Sequence, residues 1–124
     1  GSGTILLVED EAQVLQLGAR ILSEYGYKVL SAPTPEAALA MAVQHPEEIH
    51  LLITDVVMPG MNGKELSARI SGLRPQIRCL FISGFNSDVI VDEGVLETGI
   101  DFLQKPFSAL SFRQKVNEIL QRQV

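Results

Sequence analysis

Three stretches of this chain, TILLV at 4–8, HLLIT at 50–54 and IRCLFIS at 77–83, are nearly unbroken runs of apolar and β-branched residues. A strand with one wet face alternates apolar and polar positions, whereas a run that stays apolar belongs to a strand covered on both sides. This requirement removes most architectures: the chain has to supply helices for two faces of one sheet. Two weaker candidates, YKVLSA at 27–32 and IDFLQ at 100–104, carry polar residues, as edge strands tolerate.

The segments between the runs have helical spacing. Val14, Leu15, Ala19 and Leu22 share one face of the first, and Ala37, Ala38, Met41 and Ala42 share one face of the second. Thr34-Pro35 sets a capping hydroxyl before a first-turn proline, and Asn62 precedes GKELSARI with Glu65 three residues on. A fourth helix is expected between 87 and 96, short because of Gly94 and several β-branched residues. A fifth, from Ser108 to about Arg122, would bury Leu110, Phe112, Val116, Ile119 and Leu120. Strand and helix alternate five times, which predicts an α/β fold with a parallel sheet, helices on both faces and right-handed crossovers.

At 124 residues there is room for a single domain, residues 4–124, with Gly1-Ser2-Gly3 set aside as a cloning leftover. No apolar run approaches the roughly 20 residues that cross a bilayer. A net charge of -5 without a basic cluster argues against nucleic acid and anionic membranes as partners. The single cysteine, Cys79, lies inside an apolar run and reads as a small hydrophobe rather than a nucleophile. A cytoplasmic setting fits.

In a sheet of this kind ligands meet the carboxyl ends of the strands. Glu9 and Asp10 follow the first strand, Asp55 the third, Ser83 ends the fourth and Lys105 the fifth. Each has an ordinary reading when taken alone. Glu9-Asp10-Glu11 could be an acidic helix start, Asp55 a loop cap, Ser83-Gly84 a turn and Lys105-Pro106 a strand exit. Their joint placement on one rim outweighs those readings. His45 and His50 have no ligand-spaced partner, and Met58 and Met61 read as loop packing.

Through VEDE, ITDVVMPGMNG, FISG and FLQKPF, in that order at strand ends, the chain resembles the receiver domains of two-component response regulators. The resemblance implies a flavodoxin-like doubly wound (βα)5 fold, with strand order 2-1-3-4-5. It also implies that Asp55 accepts a phosphoryl group from a histidine kinase or histidine phosphotransfer protein. Mg²⁺ would be held by Asp10, Asp55, the carbonyl of Val57 and, through water, Glu9. The physics agrees, because close carboxylates repel by about 4 kcal/mol per pair at 4 Å in an effective dielectric of 20, and a cation removes that cost. Lys105 and Ser83 would contact the phosphoryl oxygens, with a cis peptide between Lys105 and Pro106. Ser83 and Phe102 would report phosphorylation to the face of the fourth helix, fifth strand and fifth helix. A second copy of the chain or an output domain in the same polypeptide is a further expected partner of the domain.

Such a domain is not an enzyme with a separate substrate; it promotes only its own phosphorylation and dephosphorylation. Three departures stand out: Glu9 replaces the commoner aspartate, Ser83 the commoner threonine, and Val57 sets an apolar side chain beside the path of an attacking water. A haloacid dehalogenase-type phosphatase would need an acid two residues after its nucleophile, where Val57 stands. A receiver serving as a phosphate sink or scaffold is the other rival. The string DVIVDEGVLETGIDFLQKPFS resembles receivers of hybrid sensor histidine kinases.

Overall fold

The computed structural model describes residues 2–84 and 100–122. Within them, five strands form one sheet: β1 (Thr4–Val8), β2 (Lys28–Ala32), β3 (Leu51–Asp55), β4 (Arg78–Ser83) and β5 (Phe102–Gln104). All pairings are parallel, in the order β2-β1-β3-β4-β5. The described helices are α1 (Ala12–Glu24), α2 (Pro35–Gln44), α3 (Gly63–Leu73) and α4 (Ala109–Gln121), the last being the fifth helix expected along the chain. The helix expected at 87–96 lies outside the described residues.

The period-2 geometry of the strands explains the continuous apolar runs. Ile5 and Leu7 of β1, with Leu51 and Ile53 of β3, face a core closed by Leu15 and Leu22 of α1 and by Phe112, Val116 and Ile119 of α4. Leu6 and Val8, with Leu52, face the opposite core, closed by Ala38 and Ala42 of α2 and by Leu66 and Ile70 of α3. Both sides of β1 and β3 are therefore dry, and every residue of the two strands is buried.

Helix starts follow the expected chemistry. The Thr34 hydroxyl accepts from the Ala37 N–H at 3.1 Å, with Pro35 in the first turn of α2. The Asn62 side chain accepts from the Glu65 N–H at 2.8 Å. Ser108 and Ser111 form a reciprocal capping box at α4.

Several expectations shift, and β2 and β4 each begin one residue later than YKVLSA and IRCLFIS. β3 begins and ends one residue later than HLLIT, because the ladder continues through Asp55 opposite Ile82. β5 shortens to Phe102–Gln104, the only residues of IDFLQ paired to β4. Leu110 is exposed on α4: Phe112, Val116 and Ile119 follow the i, i+4, i+7 stripe, and a residue two before that stripe points about 200° away. Gly3, set aside with the leading residues, has its carbonyl accepting from the Lys28 N–H at 2.9 Å. Among the described residues no helix is long and apolar enough to cross a membrane.

Candidate functional site

The sheet order converts distant sequence positions into neighbours. β1 ends at Val8, so Glu9 and Asp10 lie over its carboxyl edge; β3 lies next to it and delivers Asp55; β5 is followed at once by Lys105. Glu9 is tied to the top of β2, its N–H donating to the Ala32 carbonyl at 3.2 Å. Asp55 is held by sheet pairing, and the Thr54 hydroxyl donates to its carbonyl at 3.0 Å. Lys105 is anchored at its N–H, which donates to the Ser83 carbonyl at 2.8 Å, and the following peptide bond to Pro106 is cis.

The side chains converge. Lys105 Nζ donates to Asp55 Oδ2 at 2.7 Å and lies 3.3 and 3.4 Å from the two oxygens of Glu9. Glu11 reaches the same ammonium at 4.0 Å. Glu9 and Asp55 are buried, at 4% and 7% exposure, while Asp10 is open to solvent. Carboxylate oxygens of Glu9, Asp10 and Asp55 come within 4.8 Å of one another. These are hard oxygen donors gathered in one acidic pocket, and they fit a small divalent cation that keeps part of its water shell.

Charge crowding shows in the acid–base properties. Burial first, and then the neighbouring Asp55, push the Glu9 carboxyl from 4.5 up to about 7, against a smaller opposing pull from Lys105. Burial disfavours the Lys105 ammonium, yet Asp55 and Glu9 together outweigh it and raise its pKa above the ordinary lysine value. One cation thus serves two buried acids.

The loop after β3 owes its shape to a contact that no motif reading supplied. The Gly63 N–H donates to the Val56 carbonyl at 2.8 Å, and a Cβ on Gly63 would stand 2.2 Å from the Asp55 carbonyl oxygen. Only glycine lets α3 begin so close to the end of β3. Gly60, at φ +85°, turns the loop tip. Met58 is buried against Thr54, its sulfur 3.9 Å from the hydroxyl, as the loop-packing reading expected.

The remaining candidates sit around this centre. Ser83 is buried at the end of β4, in register with Gln104 of β5. Val57 lies in the loop directly after the strand exit, 59% exposed. Phe102 pairs with Phe81 across the β4–β5 ladder and packs, half-buried, against Val56 and Phe81. The Cys79 thiol is pushed up to about 12 by burial, so it is not a reactive thiolate near neutral pH. His50 is structural: its Nδ1 accepts from the Thr4 N–H at 2.9 Å.

A family model described as the response regulator receiver domain matches residues 5–117. The chain belongs to this family. Among curated proteins, this receiver domain is 36% identical over 123 residues to the sensor kinase CckA of Brucella abortus, covering 99% of the present chain but only 13% of the kinase. It is 32% identical over 115 residues to the response regulator receiver protein CpdR of the same organism, covering 93% and 92% of the two chains. Among solved structures it resembles the receiver domain of hybrid histidine kinase CckA, with a TM-score of 0.81, 39% identity, and 96% and 100% of the chains covered. A CheY-like receiver domain protein from Methanospirillum hungatei JF-1 gives 0.81 at 27% identity, with 98% and 95% covered.

Proposed function

We propose that this receiver domain accepts a phosphoryl group on Asp55 from the phosphohistidine of a histidine kinase or histidine phosphotransfer protein. The observation that carries the reading is the Asp55 carboxylate, buried at a strand end, bonded to Lys105 at 2.7 Å and set within a trio of acids. An Asp55 oxygen attacks phosphorus, the P–N bond of the donor breaks, and the imidazole leaves with the electron pair; the product is an acyl phosphate. Asp10, Asp55, the Val57 carbonyl and, through water, Glu9 would hold Mg²⁺. When bound, that ion neutralises charge between carboxylates and phosphoryl oxygens. Lys105, already aimed at Asp55, pairs with the new phosphoryl oxygens, and Ser83 offers them a hydroxyl donor.

The domain promotes its own phosphorylation and dephosphorylation and acts on no separate substrate. Ser83 and Phe102 lie on paired strands, so a shift of Ser83 toward Asp55 changes the space beside β4 into which Phe102 can turn. This supports a change transmitted to the face built on β5 and α4, a two-state element biased by the phosphoryl group. The likeness to receivers of hybrid kinases supports a place within a phosphorelay.

Acetyl phosphate with Mg²⁺ tests both halves. The expected outcome is a single label on Asp55 after borohydride trapping and mass spectrometry, none on Asp55→Asn, and backbone amide shifts over residues 100–107. Equal labelling of Asp55→Asn would overturn the assignment. Labelling with residues 100–107 unmoved would make the domain a phosphate sink.

A further inference from the structure

Helix α1 buries Leu15 and Leu22 against the sheet, but it carries a second apolar stripe, Val14, Leu17 and Ile21, at i, i+3 and i+7. Across from this stripe stand Pro106 and Phe107 of the segment after β5, and the two walls bound a cavity of about 450 Å³. That is the size of a small-molecule site. Its walls are held from behind: Phe107 packs on Phe112 with ring centroids 5.0 Å apart, and Ile21 rests on the same core. Leu17 is 55% exposed, so the cavity is open along α1.

The mouth of this cavity borders Asp55. Lys105 and Glu11 line it, and Nζ of Lys105 lies 2.7 Å from Asp55 Oδ2 and 4.0 Å from Glu11. A molecule whose phosphorus meets Asp55 therefore has its leaving group at the edge of an apolar chamber. Beyond Lys105 and Glu11 no polar side chain lines the chamber. Nothing there would replace the water lost by a sugar, a nucleobase or an amide, whereas a hydrocarbon chain needs no such partner.

We propose that this cavity receives the hydrocarbon tail of a small-molecule phosphodonor, so that the chain takes phosphoryl groups from acyl phosphates longer than acetyl phosphate, of the butyryl or isovaleryl kind. The inference rests on the reading of Asp55 as the acceptor. An Asp55 oxygen attacks phosphorus, the bond from phosphorus to the acyl oxygen breaks, and the carboxylate leaves with the electron pair; no proton and no further reactant is needed. Val14, Leu17 and Phe107 then set specificity by how much of the tail they take out of water.

A chain-length series tests this, because acetate, propionate and butyrate are leaving groups of nearly equal acidity and differ only in tail. Labelling of Asp55 is followed by mass spectrometry, with Mg²⁺ and acetyl, propionyl, butyryl or carbamoyl phosphate at equal, sub-saturating concentration. Each methylene fully taken out of water is about fourfold in affinity. In a half-open cavity the butyryl compound should label at least about fivefold faster than the acetyl compound, with no gain for the carbamoyl compound. Leu17→Ser opens a wall and Ala109→Phe fills the chamber, and each should cut the butyryl-to-acetyl ratio by more than half. Both positions are exposed, and should one variant fail to fold the other decides. A ratio of one in the wild-type chain would overturn the inference, as would a ratio that neither variant lowers.

Binding gives a readout that needs no transfer. Butyrylphosphonate, whose phosphorus cannot be passed on, should shift the methyl signals of Val14, Leu17 and Ile21 and leave those of Leu66 and Ile70, across the sheet, in place. Unmoved signals at the first three positions would sink the proposal. If no acyl phosphate labels Asp55, the acceptor reading fails and this donor class with it. Labelling at one rate for every chain length removes only the role of the cavity and leaves Asp55 standing; dimers in solution that Leu17→Ser dissociates would then assign the cavity to a second copy of the chain.

Discussion

The two ends of the sheet treat charge in opposite ways. At the amino end, arginines complete what the backbone lacks. Arg74 donates to the Ala42 carbonyl at 2.9 Å, the Glu47 carbonyl at 2.8 Å and the His45 carbonyl at 2.6 Å, closing the last turn of α2 and the loop beyond it. Arg78 does the same for α4, donating to the carbonyls of Ile119 and Arg122, and Arg122 pairs with both oxygens of Asp101 at 2.9 and 3.1 Å. Cations there meet the orphan carbonyls and negative dipole ends of helices. At the carboxyl end, Glu9, Glu11 and Asp55 gather around one ammonium, with Asp10 beside them, and the Glu9 carboxyl is forced up to about 7. At the amino end the arginines tie the ends of helices to the rest of the fold. The carboxyl end is short of positive charge, which is the condition of a site that awaits a ligand.

The contrast can be broken by exchanging the roles. Arg74→Ala strips three carbonyls of their donor and is expected to lower unfolding free energy by about 3 to 5 kcal/mol in urea denaturation, with acetyl phosphate labelling of the folded fraction intact. A small loss there would mean that the amino end does not carry the stability assigned to it.

A smaller effect is expected from pH at the other end. The folded Glu9 carboxyl titrates at about 7 against 4.5 for the free group, so its contribution to stability is complete below 4.5 and is lost as pH rises through about 7. Chelator-treated protein should lose about 2 to 3 kcal/mol across that window, because the unfolded chain releases the Glu9 proton first. Glu9→Gln, which cannot ionise, should flatten the slope, and a slope that persists in that variant would assign it to other groups.

The smallest effect sharpens the boundary. Asn62 caps α3 at the carboxyl end but outside the charge cluster, and Asn62→Ala is expected to cost about 1 kcal/mol in thermal or urea unfolding. If it instead stabilised the protein, crowding would extend beyond those acids.

These two ends were unequally legible in the sequence. The runs around Leu6, Leu52 and Leu80 announced buried strands because burial on both faces leaves a pattern that one strand carries by itself. The acids and Lys105 could be placed on one rim because strand ends are local features and parallel order aligns them. The arginine clamps left no such trace. Arg74 bonds to carbonyls 27 to 32 residues away, Arg78 to carbonyls more than 40 away, and a backbone oxygen has no residue identity to recognise. Leu110 was misjudged because hydrophobicity was weighed without its phase on the helix. The bridge from Lys105 to Glu9 was hidden for a related reason: spacing puts two groups at one rim, but side-chain length decides whether they touch.

The backbone contact at Gly63 has a consequence for altering this protein. Since the start of α3 rests on the end of β3, residues 56–62 form a closed ring whose base is fixed and whose tip, at Pro59 and Gly60, is exposed. Length added at the tip leaves the base shut, whereas any side chain at position 63 wedges it open beneath Asp55. The ring therefore offers a splice point for a peptide tag or fluorophore a few residues from Asp55, with the strand that carries the acid left undisturbed.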